Sequence, residues 1–150
     1  MICAYCRAKT HESPCSNCAR SSQLAGRYRL LQEISDNDDI LSYRGEDSSR
    51  SDSHVLAQNI RLRRVAATAM AKRLDRVLEP LSRTHHPGIP RTRRALISPG
   101  SEGTGLWIIR EFIDGPTLAE AVERHGAHPL HVVLDLLEGL LSALETLHGH

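Results

Sequence analysis

Between Arg27 and Ile113 the apolar residues fall mostly in short runs separated by polar, turn-forming stretches, and from Pro129 onward they fall at helical spacing. The first pattern predicts strands and the second a helix. Arg27–Ile34 (RYRLLQEI) and Ile40–Arg44 read as a hairpin closed by the turn-forming run Ser35-Asp-Asn-Asp-Asp39. After a polar stretch from Glu46 to Ser53, His54–Leu62 (HVLAQNIRL) reads as a third strand. Val65–Leu81 has no glycine and carries Ala, Leu, Met and Arg, which predicts a helix that weakens at Pro80. Two more strands are expected over Arg94–Ile97 and Leu106–Ile113, joined by the turn-rich run from Ser98 to Gly105.

Downstream, Asp114-Gly-Pro marks a turn, and Thr117 with Glu120 three residues later forms the reciprocal capping-box pattern for a short helix to about Arg124. In Pro129–His148, Leu130, Val133, Leu134, Leu137, Leu141 and Leu144 share one stripe, widened by Leu136, Leu140 and Leu147. Such a helix needs burial on most sides. The sequence stops at His150, so an uncovered helix is expected, serving as a site for a protein partner or as a source of association.

Composition sets the outer bounds. With 40% hydrophobic residues, 150 residues make one ordinary domain plus a small module. The net charge is +1, from 19 basic and 18 acidic residues, and aromatics make up only 3%. Both features argue against nucleic acid as a partner, and the basic runs Arg61-Leu-Arg-Arg64 and Arg91-Thr-Arg-Arg94 read as solvated faces. The N-terminus lacks the charged and apolar regions of a signal peptide, and no stretch approaches a membrane helix in length. A reducing, cytoplasmic setting is expected.

All four cysteines lie in the first eighteen residues, as Cys3-Ala-Tyr-Cys6 and Cys15-Ser-Asn-Cys18, two C-x-x-C hooks separated by eight residues. Each hook lets two thiolates converge on one ion, so the pair supplies the four sulfur ligands of a closed, structural zinc site. Two disulfides, a thioredoxin-like redox pair or coincidental spacing are the alternatives, and the reducing setting favours the metal over disulfides. His11, between the hooks, reads as a loop residue. The polar stretch Ala19–Gln23 reads as a linker from this knuckle, residues 1–22, to a main domain that starts near Leu24.

From about Leu24 onward the order of elements resembles the N-terminal lobe of a bacterial serine/threonine protein kinase of the eukaryotic-like type. The landmarks are LAGRYRLLQEI in the first strand, HHPGI at His85–Ile89, and LWIIREFIDGPTLAEAV at Leu106–Val122 for the fifth strand, hinge and following helix. Leu130–His148 resembles the long helix that in the family directly precedes the catalytic HRD loop, and the sequence ends before that loop. The resemblance implies an α+β fold: a kinase-like N-lobe of antiparallel sheet plus one long helix at 24–112, then a hinge and the first helices of a truncated C-lobe at 113–150, behind the zinc knuckle. It makes His85-His86-Pro87 a structural turn.

Phosphoryl transfer in that family relies on a glycine-rich loop, a strand lysine paired with a helix glutamate, and groups that hold magnesium. Where the family has its glycines, this chain reads Ser35-Asp-Asn-Asp-Asp-Ile-Leu-Ser42. Side chains there obstruct the close approach of backbone to phosphate, and three carboxylates repel it. The resemblance puts Asn59 where the lysine belongs, or Gln58 with a slip of one residue, and no lysine occurs between Lys9 and Lys72. A neutral amide does not replace an ammonium charge. The helix glutamate falls near Val77, between Asp75 and Glu79, and is not assigned. Glu111 and Ile113 match hinge positions whose backbone meets adenine, with Arg110 at the gatekeeper position.

These readings lead to a kinase-like pseudoenzyme, a regulatory or protein-interaction module with structural zinc, no catalytic residue and no conventional ATP–magnesium site. The alternative is the N-terminal fragment of a longer kinase that transfers the ATP γ-phosphate to protein serine or threonine.

Overall fold

The computed structural model of the chain describes residues 1–50, 53–61, 82–100 and 103–149. The expected helix at Val65–Leu81, with Lys72, Asp75, Val77 and Glu79, lies outside the described residues, as do Arg63, Arg64 and His150. The described part is α+β. Strands β1 (Tyr28–Asp36), β2 (Ile40–Asp47), β3 (His54–Arg61), β4 (Thr92–Gly100) and β5 (Gly103–Glu111) form one antiparallel sheet of order β1-β2-β3-β5-β4. Helices α1 (Leu118–His125) and α2 (Leu130–His148) follow.

The β1–β2 hairpin closes where the polar run predicts a turn. Asn37 does the closing: its Oδ1 accepts the Ile40 N–H at 2.8 Å, and its own N–H donates to the Ile40 carbonyl at 3.1 Å. The β4–β5 connection is shorter than composition predicts, because Pro99 pairs with Thr104 and Gly100 with Gly103 inside the ladder. Proline is tolerated there since β4 is an edge strand. At the other end, β5 stops at Glu111 rather than Ile113, because its partner β3 begins at His54.

Strand alternation sorts the core. The register sets Tyr43, Ala57 and Ile109 side by side in one row, and Leu41, Asn59 and Trp107 in the next. All six are buried, and the Tyr43 and Trp107 rings stack with centroids 6.0 Å apart. The cysteine segment covers this face: Ala4 is part of the same buried cluster, with Ile2 and Tyr5 packed against it. Ile2 donates its N–H to the Leu30 carbonyl at 2.6 Å, and Ala4 donates to Ser22 at 3.1 Å. Ser22 and Leu24 are fully buried, so the stretch read as a linker is anchored at its C-terminal end, while Ala19, Arg20 and Ser21 are exposed.

Helix α1 has the capping box its sequence predicts, with Thr117 Oγ1 accepting the Glu120 N–H and the Glu120 carboxylate accepting the Thr117 N–H. Helix α2 buries only Ala143 and meets the sheet region through the His86 Nε2–Ser142 Oγ hydrogen bond of 3.1 Å. Its leucines at 130, 134, 136, 137, 140, 141 and 144 are exposed. No described helix is long and apolar enough to cross a membrane.

Candidate metal centre and its neighbours

Each cysteine hook is built by the same pair of main-chain hydrogen bonds. Cys3 donates to the Ala8 carbonyl and accepts from the Arg7 N–H; Cys15 donates to the Arg20 carbonyl and accepts from the Ala19 N–H. Both turns put the residue after their second cysteine in the left-handed region, Arg7 at φ 62° and Ala19 at φ 56°. That conformation costs a non-glycine residue about 1–2 kcal/mol, so two such turns need something to hold them.

The sulfurs supply the means. All four ligand atoms of Cys3, Cys6, Cys15 and Cys18 lie within 4.8 Å of one another, and the Cys3–Cys18 and Cys6–Cys15 pairs are 3.7 Å apart. A disulfide would need about 2.0 Å, and all four thiols are free. A tetrahedral ion with metal–sulfur bonds of about 2.3 Å sets its ligands about 3.8 Å apart, so the donor set fits a tetrathiolate zinc. His11 is exposed and stands outside the cluster.

The thiols are unequal. Burial pushes Cys3 up to about 12, while the Asn17 side chain and the Ala8 backbone hold Cys6 down at about 6. Four sulfurs in so small a volume become thiolates together only against a cation, which a divalent metal provides.

The knuckle also reaches the β1–β2 turn. Arg7 Nη2 lies 2.9 Å from both Glu33 Oε2 and Asp36 Oδ2 on β1. From the other side, Arg61 of β3 donates to Asp36 Oδ1 at 2.8 Å and to the Asn37 and Asp38 carbonyls at 2.8 and 3.1 Å. The Asp36 carboxyl is held below the usual range by these two arginines, Arg7 first. The turn is therefore braced by cations already committed to it.

Asn59 lies on the core face, buried beside Trp107, and its amide occupies the space over Gly105, where an added Cβ would come within 2.4 Å of Oδ1. Gln58 lies on the opposite face and accepts a hydrogen bond from Arg110 Nη2. Asn59 and Arg110 are thus not brought together. Glu111 ends β5 with its N–H donating to Arg91 at 2.9 Å, and Ile113 is exposed beyond the strand.

One buried charge is invisible to motif reading. Asp47, at the end of β2, accepts from Arg27 Nε and Nη2 at 2.6 Å each and from Ser49 N and Oγ, with Arg93 Nη1 at 3.5 Å. Arg27 holds its carboxyl well below the ordinary carboxylate range. The only sequence signal is an acid closing an otherwise alternating strand.

Comparison with known proteins adds one class: serine/threonine-protein kinases. One relative is the probable serine/threonine-protein kinase PknB of Lactococcus lactis subsp. lactis (strain IL1403), 25% identical over 126 residues. The match takes in 84% of this chain but spans only 20% of that protein's length. No protein-family model matches the chain.

Proposed function

We propose that the chain is a zinc-stapled, kinase-like module that does not transfer phosphate and acts by binding another protein. Cys3, Cys6, Cys15 and Cys18 would hold the metal, which would supply a cross-link between two turns and no reactive position. The observation that carries the inert reading is the β1–β2 turn. Asp36, Asn37, Asp38 and Asp39 stand where glycines would cradle phosphate, and the arginines that approach them are engaged with the turn itself. No lysine replaces Asn59 or Gln58 on β3. The hinge backbone at Glu111 and Ile113 then serves the fold rather than adenine, and ATP with magnesium has no site. The unpartnered leucine stripe of α2 is the surface offered to the partner protein. In domain terms, 1–22 is the knuckle, 24–112 the N-lobe and 113–150 the hinge and opening helices of a C-lobe, in a cytoplasmic, reducing setting.

A second reading has a specific observation behind it. The chain spans a fifth of its kinase relative, and α2 carries the apolar surface of a helix made to be covered. Such a chain would be the N-terminal part of a longer kinase or pseudokinase.

A thermal-shift titration with ATP and magnesium, with and without zinc and a chelator, tests both parts. The expected outcome is a chelator-sensitive midpoint, one zinc per chain by metal analysis, and no rise with nucleotide. A nucleotide-dependent rise overturns the inert reading; a chelator-insensitive midpoint overturns the zinc.

A further inference from the structure

The basic run Arg91–Arg94 is not spent on solvent alone. Where β1 and β4 begin and β2 and β5 end, a cavity of about 360 Å³ is lined by Arg27, Arg50, Arg91, Arg93 and Arg94, with Glu111 the one carboxylate in its wall among the described residues. Two of the arginines are fixed in place. Buried Asp47 takes Arg27 in a two-pronged ion pair and draws Arg93 to 3.5 Å, while Arg93 also donates to Ser53 Oγ. Arg50, Arg91 and Arg94 make no side-chain ion pair among the described residues. Counting the described lining residues with Asp47 behind them, five guanidiniums face two carboxylates, an excess of three positive charges at one concave spot. The net charge of the whole chain is +1, so this is a local concentration and not a general basicity.

We infer that this cavity is a binding site for a phosphate monoester dianion. A planar guanidinium offers paired N–H donors that match phosphate oxygens, and several of them around one cavity match its charge. Asp47 does for Arg27 and Arg93 what a supporting acid does for any binding cation: it sets their direction before the ligand arrives. A phosphorylated side chain of a peptide and free phosphate present the same dianion. Nucleic acid fits less well, since its phosphodiesters carry one charge each along an extended strand and the described residues of the cavity wall offer no exposed aromatic ring for a base, Tyr28 being buried.

The test is isothermal titration of the zinc-loaded chain, at matched ionic strength, with three probes: inorganic phosphate, a phosphothreonine peptide against its unphosphorylated form, and a single-stranded oligonucleotide. R91Q/R94Q is the variant, and R124Q, on α1, is the control. Both altered arginines of the variant are exposed, so its unliganded melting midpoint should match that of the unaltered chain. Binding of phosphate or the phosphopeptide, weakened about tenfold per guanidinium removed and unchanged in R124Q, supports the site. Tighter binding by the phosphopeptide than by phosphate assigns the source to a phosphorylated protein, and the reverse assigns it to the free ion. No binding by either, equal weakening in R124Q, or preference for the oligonucleotide overturns it. Should the variant lose stability, perturbation of the Arg27 Nε–H resonance by phosphate in the unaltered chain decides instead, and an unmoved resonance overturns the site.

Discussion

Asp47 shows how one residue can hold a region of sheet. Its carboxylate is buried and accepts four hydrogen bonds of 2.6–3.1 Å, two of them from the Arg27 guanidinium. Replacing it by asparagine leaves Arg27 and Arg93 facing each other without an anion. Asp47→Asn is expected to lower the melting midpoint by roughly 5–10 °C, the loss typical of removing one partner from a buried ion pair. The pH dependence has a definite sign. Because the folded carboxyl lies below its unfolded value of about 3.9, its contribution is complete above about pH 4 and declines as pH falls through the range beneath. The gap between the two proteins' melting midpoints should therefore narrow steadily from pH 4 towards pH 2; a constant gap would remove Asp47 from the account. At the same scale, the cysteines are legible in the sequence because ligand spacing is local. Asp47, Arg7 and Arg61 are not, because their partners lie about 20 or more residues away and only the folded register brings them together.

Within elements, pattern reading succeeds where period and burial agree. The five strands and two of the helices stand where apolar runs and the capping box put them. Ser98–Gly105 reads as a turn because proline and glycine disfavour strands in isolation, yet cross-strand pairing carries Pro99 and Gly100 into the ladder. Two glycines make separate predictions about such pairing. Gly105→Ala would push a Cβ against the Asn59 amide, a side chain that can be trimmed, whereas at Gly45 the obstacle is the Arg29 carbonyl oxygen at 2.5 Å. Gly105→Ala should cost about 1–3 kcal/mol by urea unfolding, and adding Asn59→Ala should recover part of it. Gly45→Ala should cost more and be rescued by no side-chain change. Additive losses at Gly105 and Asn59 would show that the two do not share that space.

Across the whole molecule, apolar surface is distributed unevenly: the sheet hides its core face under the knuckle, while α2 leaves Leu130 72% and Leu141 65% exposed. Sedimentation of the zinc-loaded chain is expected to show concentration-dependent association, and Leu137→Glu with Leu141→Glu is expected to abolish it with the melting midpoint unchanged. Association that survives those changes would place the contact elsewhere. Strand growth is the obvious rival, since β1 and β4 are open edges and unpaired edges recruit other chains. The bridge from Ile2 to Leu30 answers it on one side at a single point, where the Ile2 N–H takes the Leu30 carbonyl of β1. On the other side Arg93, Arg94 and Pro99 stud β4. The knuckle thus doubles as a guard rail: by occupying the Leu30 carbonyl of an edge strand, it interrupts the template that another chain's strand would pair along.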